Sequence, residues 1–190
     1  RPNVGKSTLT NQIMGEKLSI VSNKPQTTRN TIQAVYTDEE CQIVFLDTPG
    51  IHKPKNKLGE FMVKSATDAF KNVDLVLFVV DDSKKIGPGD RKIIEDLRGI
   101  KTPVILVLNK IDSELFELMQ LYSNEDLFKA IVPISALKGR NVNELLKVIG
   151  NYLQEGPKYF PDYMITDQPE RVLVSELIRE KVLHYLNDEV

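Results

Sequence analysis

The sequence predicts an α/β fold with a mixed, mostly parallel sheet and helices on both faces. Short apolar runs alternate with segments of helical periodicity, which is the order of βαβ units. The runs VLFVV (76–80) and VILVLN (104–109) are rich in β-branched residues and apolar on both faces, as buried parallel strands require. IQAVYT (32–37) and CQIVFLD (41–47), joined by the acidic turn DEE, are instead typical of an antiparallel pair. The sheet is therefore expected to be mixed.

Three further elements follow these strands. Residues 87–101 carry apolar side chains at helical spacing, and Gly99 is expected to end that helix. The run IVPIS (131–135) predicts a last strand. Residues 141–153 then predict a helix, with Asn141 as its N-cap.

Composition divides the chain into three parts. Residues 1–153 form the α/β unit, and residues 154–168, with two prolines and a glycine, read as a linker. Residues 169–190 begin a helix that runs to about Leu186 and start a second, α+β unit. One apolar stripe runs along that helix: Val174, Leu177, Ile178, Val182, Tyr185 and Leu186. Such a stripe needs a partner, which is either the rest of the second unit or the first unit.

Bulk composition excludes several classes of protein. At 190 residues with a formal net charge of −2, the chain lacks the basic field of a self-sufficient nucleic-acid binder. Cys41 is the only cysteine, so no internal disulfide forms, which fits a reducing cytosol. No apolar run approaches the roughly 20 residues that span a bilayer.

The opening RPNVGKST matches the end of a phosphate-binding loop, G-x-x-x-x-G-K-[ST]. Gly5, Lys6 and Ser7 supply the last three positions, and the first glycine would fall one residue before Arg1. Backbone N–H groups of residues 3–8 would face the phosphates at the start of a helix. Gly5 lets the backbone approach, Lys6 neutralises β- and γ-phosphate charge, and the Ser7 hydroxyl ligates Mg²⁺.

The motif DTPG (47–50) ends the second strand of the antiparallel pair. Asp47 lies where a carboxylate reaches Mg²⁺ through a water molecule. Gly50 can bring its N–H against a γ-phosphate without a Cβ clash. An ordinary turn is the alternative reading of these four residues.

Two further motifs predict recognition of guanine. Asp112 of NKID (109–112) can accept paired hydrogen bonds from guanine, a pattern adenine cannot offer, while Asn109 and Lys110 brace the base and the loop. SAL (135–137) can lend a backbone N–H to the guanine carbonyl. All four motifs follow the carboxyl ends of predicted strands, where ligands of open α/β sheets bind.

With these motifs in this order, the chain resembles the translation-factor-related GTPases, the class that includes TrmE, Era, EngA, YihA and septin. Within them it is similar to the Era-type GTPases of bacterial ribosome assembly. The stretches KPQTTRNTI (24–32), DTPGIHKPK (47–55) and ITDQPERVLVSELIREKVLHYL (165–186) carry that likeness, the last resembling the entry to a KH domain. The resemblance implies a Ras-like P-loop NTPase fold that acts as a switch through residues 24–37 and 50–60.

The same resemblance implies partners, a location in the cell and segments that this chain lacks. It implies binding of 16S ribosomal RNA and the small ribosomal subunit through the KH domain, a monomer, and a cytoplasmic location with peripheral contact at the inner face of the membrane. In this fold a strand preceding Arg1 occupies the middle of the sheet. The chain is therefore expected to be a piece of a longer protein that lacks that first strand and the KH domain.

The expected catalytic group contains Lys6, Gly50, Thr28 and Asn3. Thr28 is the choice for the switch threonine that completes Mg²⁺ coordination, with Thr27 as the alternative. Ile51 stands where a Ras-type glutamine would orient water, so slow intrinsic hydrolysis is expected. An arginine finger at Arg29 is the less favoured reading. The resemblance to potassium-activated GTPases suggests that the Asn3 carbonyl helps hold K⁺, the alternative being a turn former.

The prediction is thus a GTP hydrolase with GTP or GDP, Mg²⁺ and K⁺ as its ligands. The expected nucleotide-binding residues are Arg1, Pro2, Asn3, Val4, Gly5, Lys6, Ser7, Thr8, Asp47, Thr48, Pro49, Gly50, Ile51, Asn109, Lys110, Ile111, Asp112, Ser135, Ala136 and Leu137. The expected metal ligands are Ser7, Thr28 and, through water, Asp47. The alternatives are a binding module with negligible hydrolysis, a related GTPase of tRNA modification or large-subunit assembly, and a P-loop ATPase or kinase, which Asp112 opposes.

Overall fold

A computed structural model describes residues 1–22, 27–28, 30–51, 57–69, 73–83, 85–110 and 115–185. Its elements follow in the order α1 (Lys6–Met14), β1 (Ile32–Thr37), β2 (Gln42–Asp47), α2 (Lys57–Ala69), β3 (Val76–Val80), α3 (Pro88–Arg98), β4 (Val104–Leu108), α4 (Leu115–Ser123), β5 (Phe128–Pro133), α5 (Val142–Gly150) and α6 (Glu170–Tyr185). The α/β fold predicted from the sequence is confirmed.

The strands form two sheets. β1 and β2 pair antiparallel, with Ile32 opposite Asp47, while β3, β4 and β5 are parallel and lie in that order. Both pairing types agree with the sequence, but no strand pairing joins the two sheets within the described ranges. Apolar packing connects them instead, because Ile43 of β2 belongs to the same buried cluster as Val79 of β3 and Ile105 of β4.

Helices cover both faces of the parallel sheet. Every residue of β4 is buried, and its side chains alternate between two clusters. Ile105 and Val107 face a cluster that includes α1 and α5, whereas Leu106 and Leu108 face one that includes α3 and α4. The run is therefore apolar on both faces because both faces are covered. Among the described helices, none is both long and apolar enough to cross a bilayer.

One strand boundary and one helix cap differ notably from the sequence predictions. β5 begins at Phe128, three residues before the predicted Ile131, because pairing with β4 extends to Phe128. Asn141 precedes α5 as predicted, but its side chain is not the cap. Asn141 has a left-handed φ of 62°, and its Nδ2 donates to the Pro133 carbonyl at 2.7 Å, which turns the amide away from the helix.

The predicted linker, 154–168, contains no helix or strand and is tied to the β1–β2 pair. The Val35 N–H donates to the Ile165 carbonyl at 2.8 Å. The side-chain carbonyl of Gln42 accepts from the N–H groups of Tyr159 and Phe160, both at 2.9 Å. These contacts hold the segment against one edge of the first unit.

Helix α6 contacts the first unit through one narrow face. Glu180 and Leu183 are buried, and the Glu180 carboxylate accepts from the Val21 N–H at 3.0 Å and pairs with Lys17. The stripe predicted to need a partner remains largely exposed, at Val174, Leu177, Ile178 and Tyr185. The assignment of 169–190 to a second unit stays a prediction.

Candidate functional site

The phosphate-binding loop ends in a left-handed glycine. Gly5 has φ +92° and immediately precedes α1, whose first turn closes with the Leu9 N–H donating to the Gly5 carbonyl at 2.9 Å. An L side chain rarely adopts this conformation, so glycine is required on backbone grounds alone. Gly5 and the first residues of α1, Lys6 to Thr8, all line one cavity.

Asn109 joins three of the predicted loops. Its side chain is buried, and its Nδ2 donates to the Val4 carbonyl at 2.8 Å. Its Oδ1 accepts from the Ala136 N–H at 2.9 Å. Because a buried amide without partners would cost free energy, these bonds fix the relative positions of the loops. They also commit the Ala136 N–H to Asn109.

Two lysines bind loop carbonyls at the same site. Lys110, with a left-handed φ of 67°, donates from Nζ to the Asn3 carbonyl at 2.8 Å. Lys6 donates from Nζ to the Arg1 carbonyl at 3.0 Å. Burial lowers the pKa of Lys6, and the charge of Asp47 acts in the opposite direction. A desolvated ammonium of this kind interacts strongly with any anion that enters.

Asp47 is a buried carboxylate with incomplete hydrogen bonding. Neither of its oxygens has a hydrogen bond of good geometry. Burial raises its pKa, while the charge of Lys6 and weaker contacts from the Ser7 and Ser19 hydroxyls oppose the rise. The hydroxyls of Ser7 and Thr28 lie 3.1 Å apart. Hydroxyl and carboxylate oxygens are hard donors, and Mg²⁺ usually takes one or two protein carboxylates together with water and phosphate oxygens. The residues present therefore fit Mg²⁺ held jointly with a phosphate ligand.

A cavity of about 340 Å³ opens between these loops. It is lined by Pro2, Asn3, Gly5, Lys6, Ser7, Thr8, Ile20, Val21, Ser22, Thr27, Thr28, Gly50, Asn109, Lys110, Ser135, Leu137 and Lys138. This volume lies within the usual range of ligand pockets. The structure thus brings residues of the four sequence motifs and of the 27–28 segment to one cavity.

Other predicted residues lie outside that lining. Arg1, Thr48, Pro49 and Ile51 line a separate cavity of about 40 Å³ beside β3. Ile51 packs against the apolar cluster of α3 and α4. Val4, Asp47 and Ala136 are buried and line neither cavity. Ile111, Asp112 and Arg29 lie outside the described residues.

Gly50 packs directly on the phosphate-binding loop. A Cβ added to Gly50 would lie 2.7 Å from the Pro2 nitrogen and 2.8 Å from the Pro2 Cα. These are backbone atoms, so they cannot move aside as a flexible side chain would. The close approach supports the sequence argument that only glycine fits here, although its contact with a γ-phosphate remains a prediction.

Sequence reasoning missed Asn11. Its Oδ1 accepts from the N–H groups of Leu18 and Ser19 at 3.0 and 2.8 Å, and its Nδ2 donates to the Ser19 carbonyl at 2.7 Å. These bonds hold the loop whose next residues line the cavity. No sequence signal distinguishes Asn11 from any polar residue on a helix, because its partners are backbone groups seven and eight residues away.

The loop-to-helix turn and the cavity define the class as the P-loop nucleotide-binding proteins. A family model described as "50S ribosome-binding GTPase" matches residues 1–110, and the chain belongs to this GTPase family. Among its relatives, the chain is 78% identical to GTPase Era of Clostridioides difficile (strain 630) and 62% identical to GTPase Era of Alkaliphilus metalliredigens (strain QYMF). Each match covers 100% of the chain and 66% of the relative. The Era-type resemblance is confirmed.

Solved structures agree with this assignment. The crystal structure of Era in complex with MgGDPNP and nucleotides 1506–1542 of 16S ribosomal RNA is 42% identical, with a TM-score of 0.94. A variant of Aquifex aeolicus Era bound to GDP and AlF4⁻ is also 42% identical, with a TM-score of 0.93. Both matches cover 100% of the chain and 66% of the solved protein. The chain therefore spans just under two thirds of the length of its relatives.

Proposed function

We propose that this chain is the guanine-nucleotide-binding part of a GTPase switch that hydrolyses GTP to GDP and phosphate. One observation carries the proposal: the buried Asp47 carboxylate lies near Lys6 and Ser7, and the Ser7–Thr28 hydroxyl pair lines a cavity of about 340 Å³. Such an arrangement is costly without a ligand and well matched to a magnesium–phosphate group. Membership of a GTPase family and the nucleotide complexes of related Era proteins support the choice of ligand.

In the proposed mechanism the chain mainly positions charge. The start of α1 directs its N–H groups toward the β-phosphate, and Lys6 neutralises charge on the β- and γ-phosphates. Ser7, Thr28 and, through water, Asp47 would hold Mg²⁺, which when bound stabilises charge on the phosphate oxygens. Gly50 donates its N–H toward the γ-phosphate. Ile51 cannot hydrogen-bond to water and packs on the α3–α4 cluster, so slow intrinsic hydrolysis is expected.

We further propose that the longer protein acts in assembly of the small ribosomal subunit by binding 16S ribosomal RNA. A related Era protein is known in complex with that RNA. The exposed apolar stripe of α6 supports assigning 169–190 to a second, KH-type unit, because exposed large apolar side chains on one helix face usually mark an interface. A cytoplasmic location fits this role. From the resemblance we also propose a monomer with peripheral contact at the inner face of the membrane.

Titration calorimetry on the full-length protein tests the nucleotide assignment. We expect tight binding of GTP and GDP with Mg²⁺ and at least 100-fold weaker binding of ATP. Asp112→Asn is expected to shift the preference from guanosine to xanthosine nucleotides, because the exchanged donor and acceptor match the xanthine edge. Equal affinity for adenine and guanine nucleotides would contradict the proposal.

The same full-length protein serves for two further readouts. Single-turnover hydrolysis separates a slow GTPase from a module that does not hydrolyse GTP. An absence of hydrolysis would overturn the proposed catalytic activity and leave only nucleotide binding. Binding of RNA 1506–1542 in the presence of GTP tests the ribosomal role, with a scrambled RNA of equal length as the control. Equal affinity for both RNAs would exclude sequence recognition.

We also propose that K⁺ stimulates hydrolysis through Asn3. Asn3 lines the cavity with a positive φ of 59°, and its carbonyl accepts a hydrogen bond from Lys110 Nζ. A monovalent cation held there would place positive charge near the transferred phosphate, as an arginine finger does elsewhere. Turnover in KCl is expected to exceed that in NaCl at equal ionic strength by about tenfold, and Asn3→Ala is expected to remove the difference. Equal rates in the two salts would overturn the idea.

A further inference from the structure

An ionic cluster outside the nucleotide cavity holds the start of the phosphate-binding loop. The Arg1 guanidinium donates from Nη1 to Asp90 Oδ2 at 3.0 Å. Its Nη2 pairs with Asp81 and donates to Ser83 Oγ at 3.0 Å. Asp81 and Ser83 follow β3, and Asp90 lies in the first turn of α3. The Arg1 side chain thus binds both the segment that follows β3 and the first turn of α3.

The cluster is partly removed from water. Asp90 is only 1% exposed, and its Oδ1 has no hydrogen bond. Burial favours the neutral form of Asp81, but the Ser83 hydrogen bond and the charges of Arg1 and Lys110 lower its pKa overall. Arg1 therefore supplies the main positive charge that faces both carboxylates. A planar guanidinium can meet two acceptors on different elements, whereas a lysine ammonium acts as a point charge.

The backbone of Arg1 is in turn linked to the predicted catalytic groups. Its carbonyl accepts the hydrogen bond from Lys6 Nζ at 3.0 Å. Its carbonyl carbon lies 3.1 Å from the Cβ position of Gly50. Pro2 follows directly and restricts the Arg1 backbone to extended conformations. The place of the Lys6 ammonium and the separation between the loop and Gly50 therefore both depend on where Arg1 is anchored.

We propose that Arg1 is a positioning residue that, through Asp81 and Asp90, fixes the phosphate-binding loop against β3 and α3. It acts through Lys6 and Gly50 and does not touch the nucleotide. The inference rests on the proposed nucleotide site but concerns a cluster outside the cavity lining. The phosphate-loop motif predicts that Arg1 binds nucleotide, whereas this geometry gives its side chain a different role.

Release of a fluorescent GDP analogue from the full-length protein tests the inference. Arg1→Ala and Asp81→Asn are each expected to speed release about tenfold at 10 °C. The double variant is expected to release no faster than Arg1→Ala alone, because Arg1→Ala already removes the contact that Asp81→Asn weakens. Ser83→Ala, a milder change, is expected to give a two- to threefold effect and serves if Arg1→Ala does not fold. Arg98→Ala, which breaks the exposed pair of α3 with Glu125, is the matched control and should leave the rate unchanged.

Hydrogen exchange on the nucleotide-free protein gives an independent readout. Arg1→Ala is expected to raise exchange in residues 3–9 at least tenfold while leaving α5 unchanged, which a general loss of stability would not do. Unchanged release and exchange in Arg1→Ala, multiplicative effects in the double variant, or an equal effect of Arg98→Ala would each overturn the inference. Failure of the wild type to bind GDP would reject the proposed function, and the exchange result would still decide the role of Arg1.

Discussion

Replacing Gly5 with alanine is expected to weaken GDP and GTP binding at least 100-fold, which is about 3 kcal/mol. The added Cβ would lie 2.2 Å from Asn109 Nδ2, well inside contact distance. Asn109 is buried and bonded to Val4 and Ala136, so it cannot move without breaking the bonds that join three loops. The φ of +92° adds backbone strain of about 1 kcal/mol for a non-glycine residue.

Gly15→Ala is the matched control for that experiment. Gly15 also has a positive φ, +67°, but nothing lies within 4 Å of its Cβ position. It should therefore lose about 1 kcal/mol of stability from backbone strain and keep wild-type nucleotide affinity. Titration calorimetry measures the affinity, and urea unfolding measures the stability. A Gly5→Ala protein that binds GDP like the wild type, or a Gly15→Ala protein that loses as much affinity, would contradict the loop-bridging role of Asn109.

The sequence predicted the strands and loops well because their signals are local. β4 shows this most clearly, since a run of β-branched and leucine side chains at 104–108 can be satisfied only by burial on both faces. For β4 the residue types themselves carry the constraint, and no distant partner has to be known. At Gly5 and Gly50 the structure gives a reason for glycine that the sequence does not, because a Cβ would meet Asn109 or Pro2, while their predicted approach to phosphate stays a prediction.

The contacts that position the loops could not be predicted in this way. Asn11, Gln42 and Arg1 are ordinary polar residues in the sequence, and each acquires its role from partners that only the fold brings near. Arg1 meets Asp81 and Asp90 across 80 and 89 residues of chain. Spacing rules describe one helix or strand at a time, so they give no information about such pairs.

Helix α6 shows a second reason why some contacts could not be predicted from the sequence. Its periodicity identified one apolar stripe, yet its most buried residue is the charged Glu180. Burial alone would raise the pKa of Glu180, but hydrogen bonds from Lys17 and the Val21 N–H lower it overall, so the carboxylate is stabilised in its ionised form. A buried charge is tolerated only when its partners are in place, and hydropathy cannot reveal them.

Asp47→Asn is expected to make the nucleotide-free protein more stable and to make hydrolysis at least 100-fold slower. At neutral pH the wild type holds a buried carboxylate without hydrogen bonds of good geometry, and Lys6, Ser7 and Ser19 offset only part of that cost. A neutral amide removes the unpaired charge, so the free energy of unfolding should rise by about 1–2 kcal/mol. The same change removes the carboxylate that reaches Mg²⁺ through water, which accounts for the lost activity.

The stability gain expected for Asp47→Asn should depend on pH. Because burial raises the pKa of Asp47 in the folded state, protonation stabilises the fold at low pH, and that stabilisation is lost as the pH rises through the folded pKa. The stability advantage of Asp47→Asn over wild type should therefore be largest at pH 7 and shrink toward acid pH.

Asp38→Asn is the matched control of opposite sign, since N–H groups of Cys41 and Glu40 lower the pKa of Asp38 in an exposed turn. Urea unfolding from pH 4 to pH 8 and Mg²⁺-dependent turnover test both parts. An Asp47→Asn protein that is less stable than wild type at pH 7, or that hydrolyses GTP normally, would show that this carboxylate does not form the metal side of the site.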